Sequence, residues 1–230
     1  MSPNDSSHRR LASLEAQVVA CRRCPRLVAW REQVAADRRA AFADQVYWAR
    51  PVPGFGDAGA RLVVVGLAPA AHGANRTGRM FTGDRSGEWL YRALYRAGYA
   101  NRPTSTGRDD GLELSGAFVT ASVRCAPPEN HPSSQERDAC QPYLEAEIEL
   151  LSEVRVFVAL GAFALASLAR VLGISPRPRF AHLAEFALPC GRSIIASYHP
   201  SQRNTFTKML TEEMFDAVFA RARALTSERS

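Results

Sequence analysis

Short, continuously apolar runs alternate along this chain with longer segments of helical periodicity. The runs are rich in β-branched residues, which is typical of strands buried on both faces of a parallel sheet. They occupy residues 61–67, 118–123, 154–161 and 193–197. Apolar residues recur at three- and four-residue intervals in most other segments, which predicts helices there. The predicted helices cover residues 11–38 on both sides of a short cysteine motif, 87–97, 136–153, 162–172 and 207–225.

This alternation predicts an α/β fold with three layers, α/β/α, around a central four-stranded parallel sheet. No internal repeat or long low-complexity linker divides the chain, so we expect a single domain over residues 1–230. No apolar stretch is long enough to span a bilayer, and residues 1–17 lack the apolar core of a signal peptide. We therefore expect a cytoplasmic protein with no membrane segment.

The residues that follow the apolar runs carry most of the candidate chemistry. Ligands of parallel sheets bind beyond the carboxyl ends of the strands, so these loops are expected to meet at one edge. Together they offer a histidine, a carboxylate, an aromatic ring, an amide and many backbone donors. The loops are Gly66–Ala70 and Phe81–Gly87 after the first run, Arg124–Asn130 after the second, and Tyr198–Asn204 after the fourth.

Each of these side chains also has a purely structural interpretation. Asp84 could be the N-cap of the helix that follows it, and His199 before a proline could simply end a strand. Phe81 could belong to the core, and Asn130 among prolines could hold a turn. Four loops that converge on one edge favour a binding site over four unrelated structural roles.

Four of the five cysteines form a split set: a CxxC pair, Cys21 and Cys24, and two distant residues, Cys125 and Cys140. This spacing suggests one thiolate metal site; two disulfides or four buried free thiols are the alternatives. Disulfides suit oxidising compartments and small domains with little core, and neither condition fits this chain. Thiolates leave zinc and an iron–sulfur cluster both open, and the wide second spacing favours the cluster. Cys190 stands alone and is expected to be a packed residue.

The charge balance favours a polyanionic partner. Lys plus Arg outnumber Asp plus Glu by 29 to 23, and most of the excess is arginine. Arginine grips phosphate with a planar fork and stacks on bases, so an arginine-rich surface suits nucleic acid. An arginine-favouring genome would give the same balance in a protein without such a partner.

The ordered motifs resemble those of the uracil-DNA glycosylase superfamily. They are Gly66-Leu-Ala-Pro-Ala, Phe81-Thr-Gly-Asp-Arg-Ser-Gly, Arg124-Cys-Ala-Pro-Pro-Glu-Asn and Tyr198-His-Pro-Ser. With the four cysteines, the chain is similar to the iron–sulfur branches, and its nonpolar first motif is similar to family 5, the type b enzymes. The resemblance runs from about Cys21 to the last helix.

The resemblance implies a DNA glycosylase of base excision repair, a hydrolase that flips out uracil and leaves an abasic site. Deaminated purines such as hypoxanthine are further candidate substrates. Related families place Asp, Asn or Glu in the first motif, where this chain has Leu67 and Ala68. Neither side chain can position water, so the resemblance implies that Asp84 supplies the carboxylate. His199 would stabilise the departing base.

The resemblance also implies binding residues, a cofactor and a partner. Phe81, Asn130 and Ala68 would contact the base, whereas the turn inserted into the duplex would carry the DNA-binding residues. The partner is DNA, expected to be double-stranded with deaminated bases, and the chain is expected to act as a monomer. The DNA-binding residues would be Ser201, Arg203 and Asn204, and the ligands of a structural 4Fe–4S cluster would be Cys21, Cys24, Cys125 and Cys140.

Two other functions stay open at this point. One is a non-cleaving or covalent uracil-DNA-binding protein of the same superfamily, although residues 70–80 carry no Lys- and Arg-rich loop of the covalent kind. The other is a metal-stabilised nucleotide hydrolase on a similar sheet. It lacks support because the chain has no glycine-rich phosphate loop ending in Gly-Lys and no acidic cluster at the strand ends.

Overall fold

The centre of the computed structural model is a six-stranded sheet with the order β1-β3-β2-β4-β6-β5. The structure describes residues 3–227. The four inner strands are parallel, whereas β1 and β5 pair antiparallel at the two edges. The strands are β1 (Phe55–Gly56), β2 (Leu62–Gly66), β3 (Ala117–Ala121), β4 (Val156–Leu160), β5 (Glu185–Ala187) and β6 (Ser193–Ser197).

The predicted four-stranded parallel sheet is confirmed as the inner part of this sheet. All five residues of β2, β3 and β4 are buried, which is why their sequences are continuously apolar. The edge strands β1 and β5 were not predicted. They have two and three residues and are partly exposed, so neither is long enough to show a strand pattern.

Eight α-helices surround the sheet in the described part of the chain. The segment predicted as helical over 11–38 is two helices separated at the CxxC motif. The helices are α1 (Pro3–Val19), α2 (Pro25–Asp37), α3 (Ala74–Thr77), α4 (Arg85–Arg96), α5 (Ser134–Leu150), α6 (Ala162–Val171), α7 (Gln202–Phe206) and α8 (Glu212–Ser227).

The single helix predicted over 207–225 was wrong at its start. A short helix, α7, ends before that segment, and α8 begins only at Glu212. Lys208 has a left-handed backbone with φ of 56°, which breaks the helix between them. Ser201 caps α7 and Thr211 caps α8, each by accepting a backbone N–H in the first turn.

The core lies on both faces of the sheet, which confirms the three-layer arrangement. Val64 and Val158 face the layer of α4 and α8, and their neighbours Val63 and Phe157 face the layer of α5 and α6. Successive residues of each inner strand therefore pack into two separate hydrophobic cores, one on each face of the sheet. No helix within residues 3–227 is long and apolar enough to cross a membrane. Cys190 lies in the turn Pro189–Gly191, and its side chain lies outside the described part.

Candidate active site

The carboxyl ends of β2, β4 and β6 meet around two aromatic rings, those of Phe81 and His199. The rings are stacked, with centroids 5.9 Å apart and planes 29° apart. The ring of Phe81 also lies against the end of β2, because a Cβ on Gly66 would come within 2.5 Å of its Cζ. Gly161, after β4, approaches His199, since a Cβ there would lie 3.7 Å from the Cβ of the histidine. Of the loops that were predicted to converge, those that carry Gly66, Phe81 and His199 therefore meet at this edge.

Phe81 is held in an unfavourable backbone conformation at this edge. Its φ is 52°, in the left-handed region that a bulky residue rarely adopts. The carbonyl oxygen of Met80 accepts a hydrogen bond of 2.7 Å from the buried hydroxyl of Tyr91. Gly87 packs so closely on the carbonyl oxygen of Phe81 that a Cβ would stand 1.7 Å from it. The surroundings thus fix the ring where it meets His199.

Asp84 is the N-cap of α4, as its structural interpretation predicted. Its Oδ1 accepts a hydrogen bond of 3.0 Å from the backbone N–H of Gly87. Its Oδ2 lies beside Gly73, where a Cβ would come within 2.1 Å of that oxygen. Burial raises the pKa of Asp84 above the ordinary aspartate value. One carboxylate oxygen therefore caps the helix, and the other faces the loop that follows β2.

His199 follows β6 as a neutral imidazole at physiological pH. Burial lowers its pKa to about 4. Its carbonyl oxygen accepts a hydrogen bond of 2.8 Å from the side-chain amide of Asn204, while Ser201 Oγ accepts from the backbone N–H of Asn204. Ser201 and Asn204, which the resemblance assigns to DNA binding, therefore also fold the turn that carries His199. Arg203 in the same turn is exposed.

Arg85 links the Asp84 side of the site to the His199 side. Its Nε donates a hydrogen bond of 3.2 Å to Thr205 Oγ1, and its guanidinium lies 4.6 Å from the centroid of the Phe206 ring. Phe206 is 61% exposed. Sequence reasoning missed both Arg85 and Phe206. The signal for Phe206 was a large apolar residue in an otherwise polar stretch close behind the His-Pro motif.

Asn130 and Ala68 are the other two residues that were expected to contact a base, and their surroundings differ from each other. Asn130 ends a 3₁₀ turn, Pro128–Asn130, after β3; its φ is 58° and it is exposed. Within residues 3–227 its side-chain amide has no hydrogen-bond partner, so it is available to a ligand. Ala68 lies on the loop after β2 and packs against a buried group that contains Cys125 and Cys140.

The four cysteines of the split set are free, so the alternative of two disulfides is wrong. Cys125 and Cys140 are buried together, and Cys24 packs against them. The charges of Cys21 and Cys140 help to raise the pKa of Cys24 to about 11, although burial is the main cause. The four sulfurs therefore share one neighbourhood that joins the CxxC segment to β3 and α5.

A buried arginine provides the test of whether a thiolate cluster fits here. Arg31 is 2% exposed, and its Nη1 donates a hydrogen bond of 2.9 Å to Cys125 Sγ. Its Nε is buried without a partner, and no carboxylate of the described residues forms an ion pair with it. A buried cation needs a nearby negative charge, which a set of bound thiolates would supply. The backbone N–H of Arg124 also donates to Cys140 Sγ, at 3.5 Å.

Four thiols are the donor set of an iron–sulfur cluster or of a structural zinc ion. As the side chains stand, no three His, Cys, Asp or Glu residues within 3–227 form a group that would hold a metal ion. Arg26 reinforces the arrangement, because its Nε and Nη2 donate to Glu136 at 2.8 and 2.7 Å and so fix α2 to the start of α5.

Comparison with known proteins agrees with this geometry. The family model for the uracil DNA glycosylase superfamily matches residues 53–223. The Type-5 uracil-DNA glycosylase of Mycobacterium leprae is 55% identical over 218 residues, which cover 94% of this chain and 95% of that protein. The Type-5 uracil-DNA glycosylase of Thermus thermophilus is 54% identical over 90% of this chain and 94% of its own length. A Type-4 uracil-DNA glycosylase of Pyrobaculum aerophilum is 33% identical over 55% of this chain and 57% of its own length.

Proposed function

The chain belongs to the uracil-DNA glycosylase superfamily, and we propose that it is a monofunctional glycosylase that removes uracil from DNA in base excision repair. The observation that carries the proposal is the meeting of Phe81 and His199 at the carboxyl edge of the sheet, with Asp84 joined to the same edge through Arg85. An aromatic surface can hold a base, a neutral donor can stabilise the departing base anion, and a buried carboxylate can stabilise the sugar cation during hydrolysis of an N-glycosidic bond.

The base must first leave the duplex, because stacked bases bury the glycosidic bond. Flipping costs a few kcal/mol, and a deaminated base in a mismatch lowers that cost. We assign the face of the flipped base to Phe81, whose ring is already fixed by Gly66. We assign the hydrogen-bonding edge of the base to the free side-chain amide of Asn130 and to the backbone at Ala68.

Bond cleavage separates charge between the sugar and the base. The bond from C1′ to the base nitrogen breaks, and both electrons leave with the base. His199 donates a hydrogen bond from its neutral imidazole to a carbonyl oxygen of the base and stabilises the anion there. A neutral donor suits this role, since a pKa of about 4 leaves the ring uncharged at physiological pH.

Asp84 acts on the sugar. Its carboxylate stabilises the positive charge that develops at C1′ and orients the water that attacks this carbon. The oxygen of that water bonds to C1′, one of its protons leaves to solvent by way of the carboxylate, and the departed base anion takes up a proton. The products are an abasic site and the free base. Burial weakens the hydration of the carboxylate and so strengthens its interaction with the sugar cation.

The turn after His199 contacts the DNA. Arg203 is exposed and suited to a phosphate, while Phe206 presents an apolar ring suited to the space that the flipped base vacates. Leu67 and Ala68 add no polar group to the site, and we extend the proposed substrates to hypoxanthine on that basis.

We assign a 4Fe–4S cluster to Cys21, Cys24, Cys125 and Cys140. When bound, the cluster supplies a covalent cross-link among four thiolates. The four cysteines that would hold it lie in the CxxC segment, in the loop that carries Asn130 and in α5, so the cross-link would be structural. Helix α2 is held beside this cross-link by two arginines, since Arg31 donates to Cys125 and Arg26 donates to Glu136.

A base-release assay tests the proposed function. Duplexes that carry uracil, hypoxanthine or thymine opposite different bases are incubated with the protein, and free base and abasic sites are measured. We expect release of uracil. A denaturation-resistant adduct without free base would instead support the covalent DNA-binding alternative, and retention of DNA without either product would support a non-cleaving binder.

A further inference from the structure

The segment 175–182 returns the chain to the edge of the sheet where His199 lies. Helix α6 follows β4 and leads away from that edge, and β5 then runs antiparallel to β6. The backbone N–H of Leu183 donates to the carbonyl oxygen of Ala196, close to the carboxyl end of β6. The residues just before Leu183 therefore stand at the rim of the candidate active site.

Two aromatic side chains attach this segment to the residue that precedes His199. His182 stacks on Tyr198 with ring centroids 5.2 Å apart and planes 10° apart, and Phe180 contacts the same ring at 5.9 Å. The backbone N–H of Tyr198 also donates to His182 Nδ1 at 3.2 Å. The segment is thus fixed beside the site by side chains at its carboxyl end.

The same segment carries two exposed arginines, Arg177 and Arg179. Among the described residues neither makes a hydrogen bond or an ion pair, whereas exposed arginines such as Arg22 and Arg96 pair with carboxylates. Pro176 and Pro178 precede the two arginines, and the ring of each proline fixes its own φ. The segment therefore loses less conformational entropy when it binds a ligand. Two unpaired guanidinium groups are therefore presented on a stiff segment.

We propose that Arg177 and Arg179 bind phosphates of the DNA backbone and form a second contact surface beside the site. This inference rests on the proposed function, because a strand that delivers a nucleotide to His199 must run along the same rim. Segment 201–208 follows the histidine in the chain and carries Arg203 and Lys208, and segment 175–182 packs on Tyr198, the residue before the histidine. Phosphate is the ligand because guanidinium forks bind it without regard to sequence.

Salt-dependent binding tests this proposal. The wild-type protein and Arg177→Gln/Arg179→Gln are titrated with a fluorescent undamaged duplex, which is not consumed, at several salt concentrations. Each phosphate contact contributes about 0.9 to the slope of log K against log salt concentration. We expect the double variant to bind more weakly, with a slope shallower by roughly two units.

The matched control is Arg61→Gln/Arg223→Gln, which removes the same charge at the opposite edge. Arg61 precedes the amino end of β2, and its Nη1 reaches the carbonyl oxygen of Thr226 near Arg223. An unchanged slope in Arg177→Gln/Arg179→Gln, or an equal loss in the control, overturns the inference. If the wild type releases no uracil, the proposed function is overturned. Even then, a loss of slope in Arg177→Gln/Arg179→Gln but not in the control supports the phosphate contact.

Discussion

Gly73 lies directly against the carboxylate of Asp84. A Cβ atom at Gly73 would stand 2.1 Å from Oδ2 and 2.9 Å from Cγ of the aspartate. The φ of Gly73 is −98°, so close approach to the carboxylate, and not a left-handed backbone, excludes a side chain here. The loop after β2 therefore packs directly on the carboxylate of Asp84, the N-cap of α4, and leaves no room for a side chain at Gly73.

Gly73→Ala should move the carboxylate and slow base release. A displacement of about 1 Å at a reacting group can cost roughly 100-fold in rate, and we expect a loss of that order in single-turnover uracil release. DNA affinity should change little, because Gly73 is a positioning residue. The control is Gly107→Ala, since a Cβ at Gly107 meets no atom within 4 Å. Equal rates for the two variants would contradict this role of Gly73.

Asp84→Asn should reduce activity and raise stability at neutral pH. Burial raises the pKa of Asp84, so the folded protein holds this proton more tightly than the unfolded chain does. Stability is therefore lost as the pH rises through the raised pKa, and asparagine removes this loss while still capping α4. We expect a higher Tm than wild type at pH 7, no such gain at low pH, and a rate lower by about 10²- to 10³-fold.

Asp110→Asn provides the contrast for this stability measurement. Burial opposes ionisation of Asp110, but Arg79 and several backbone N–H groups lower its pKa to about 2. Its ionised form therefore stabilises the fold above the ordinary aspartate pKa, and the variant should have a lower Tm at pH 7. A decrease in Tm for Asp84→Asn at pH 7 would show that capping or packing at this position outweighs the burial of charge.

The sequence was sufficient to predict the inner sheet but not the contacts that assemble the site. Strands β2 and β6 could be predicted because burial on both faces leaves a local apolar pattern. Arg85 contacts Thr205, and Arg31 contacts Cys125. The residues of each pair are about a hundred positions apart in the chain, so no local sequence pattern predicts these contacts. The interruption around Lys208 was missed because the apolar spacing continues across it.

His199→Gln should show how the neutral histidine affects both rate and stability. An unfolded histidine takes up a proton near pH 6.5, whereas His199 in the folded protein does so only at about 4. The unfolded state therefore binds more protons between these values, and stability falls as the pH drops through this window. The variant should lose less Tm than wild type between pH 6.5 and 4, and should release uracil about 10²-fold more slowly. Parallel Tm curves would contradict the burial of a neutral imidazole.

Arg31→Gln should loosen the cluster without touching the reacting groups. The guanidinium contacts Cys125 Sγ and the carbonyl oxygen of Cys21, so its removal leaves buried thiolate charge uncompensated. Anaerobically prepared wild type should contain iron and acid-labile sulfide, and the variant should lose both several-fold faster in the presence of a chelator. The control is Arg22→Gln, an exposed arginine paired with Glu32. Equal loss in both variants would contradict the role of Arg31, and stoichiometric zinc without iron would contradict the cluster.

Phe206→Ala should impair base release from duplex DNA more than from single strands. The ring is exposed and lies under Arg85, so it can enter the stack while the guanidinium stays on the surface. Unstacking costs a few kcal/mol, and each 1.4 kcal/mol corresponds to a factor of about ten in rate. We therefore expect a loss of roughly tenfold or more on a uracil–adenine duplex and little change on single-stranded substrate. Met209→Ala, which removes an exposed apolar side chain three residues further along the chain, is the control. If Arg203→Gln shows the duplex-specific loss and Phe206→Ala does not, the arginine and not the phenylalanine fills the vacated space.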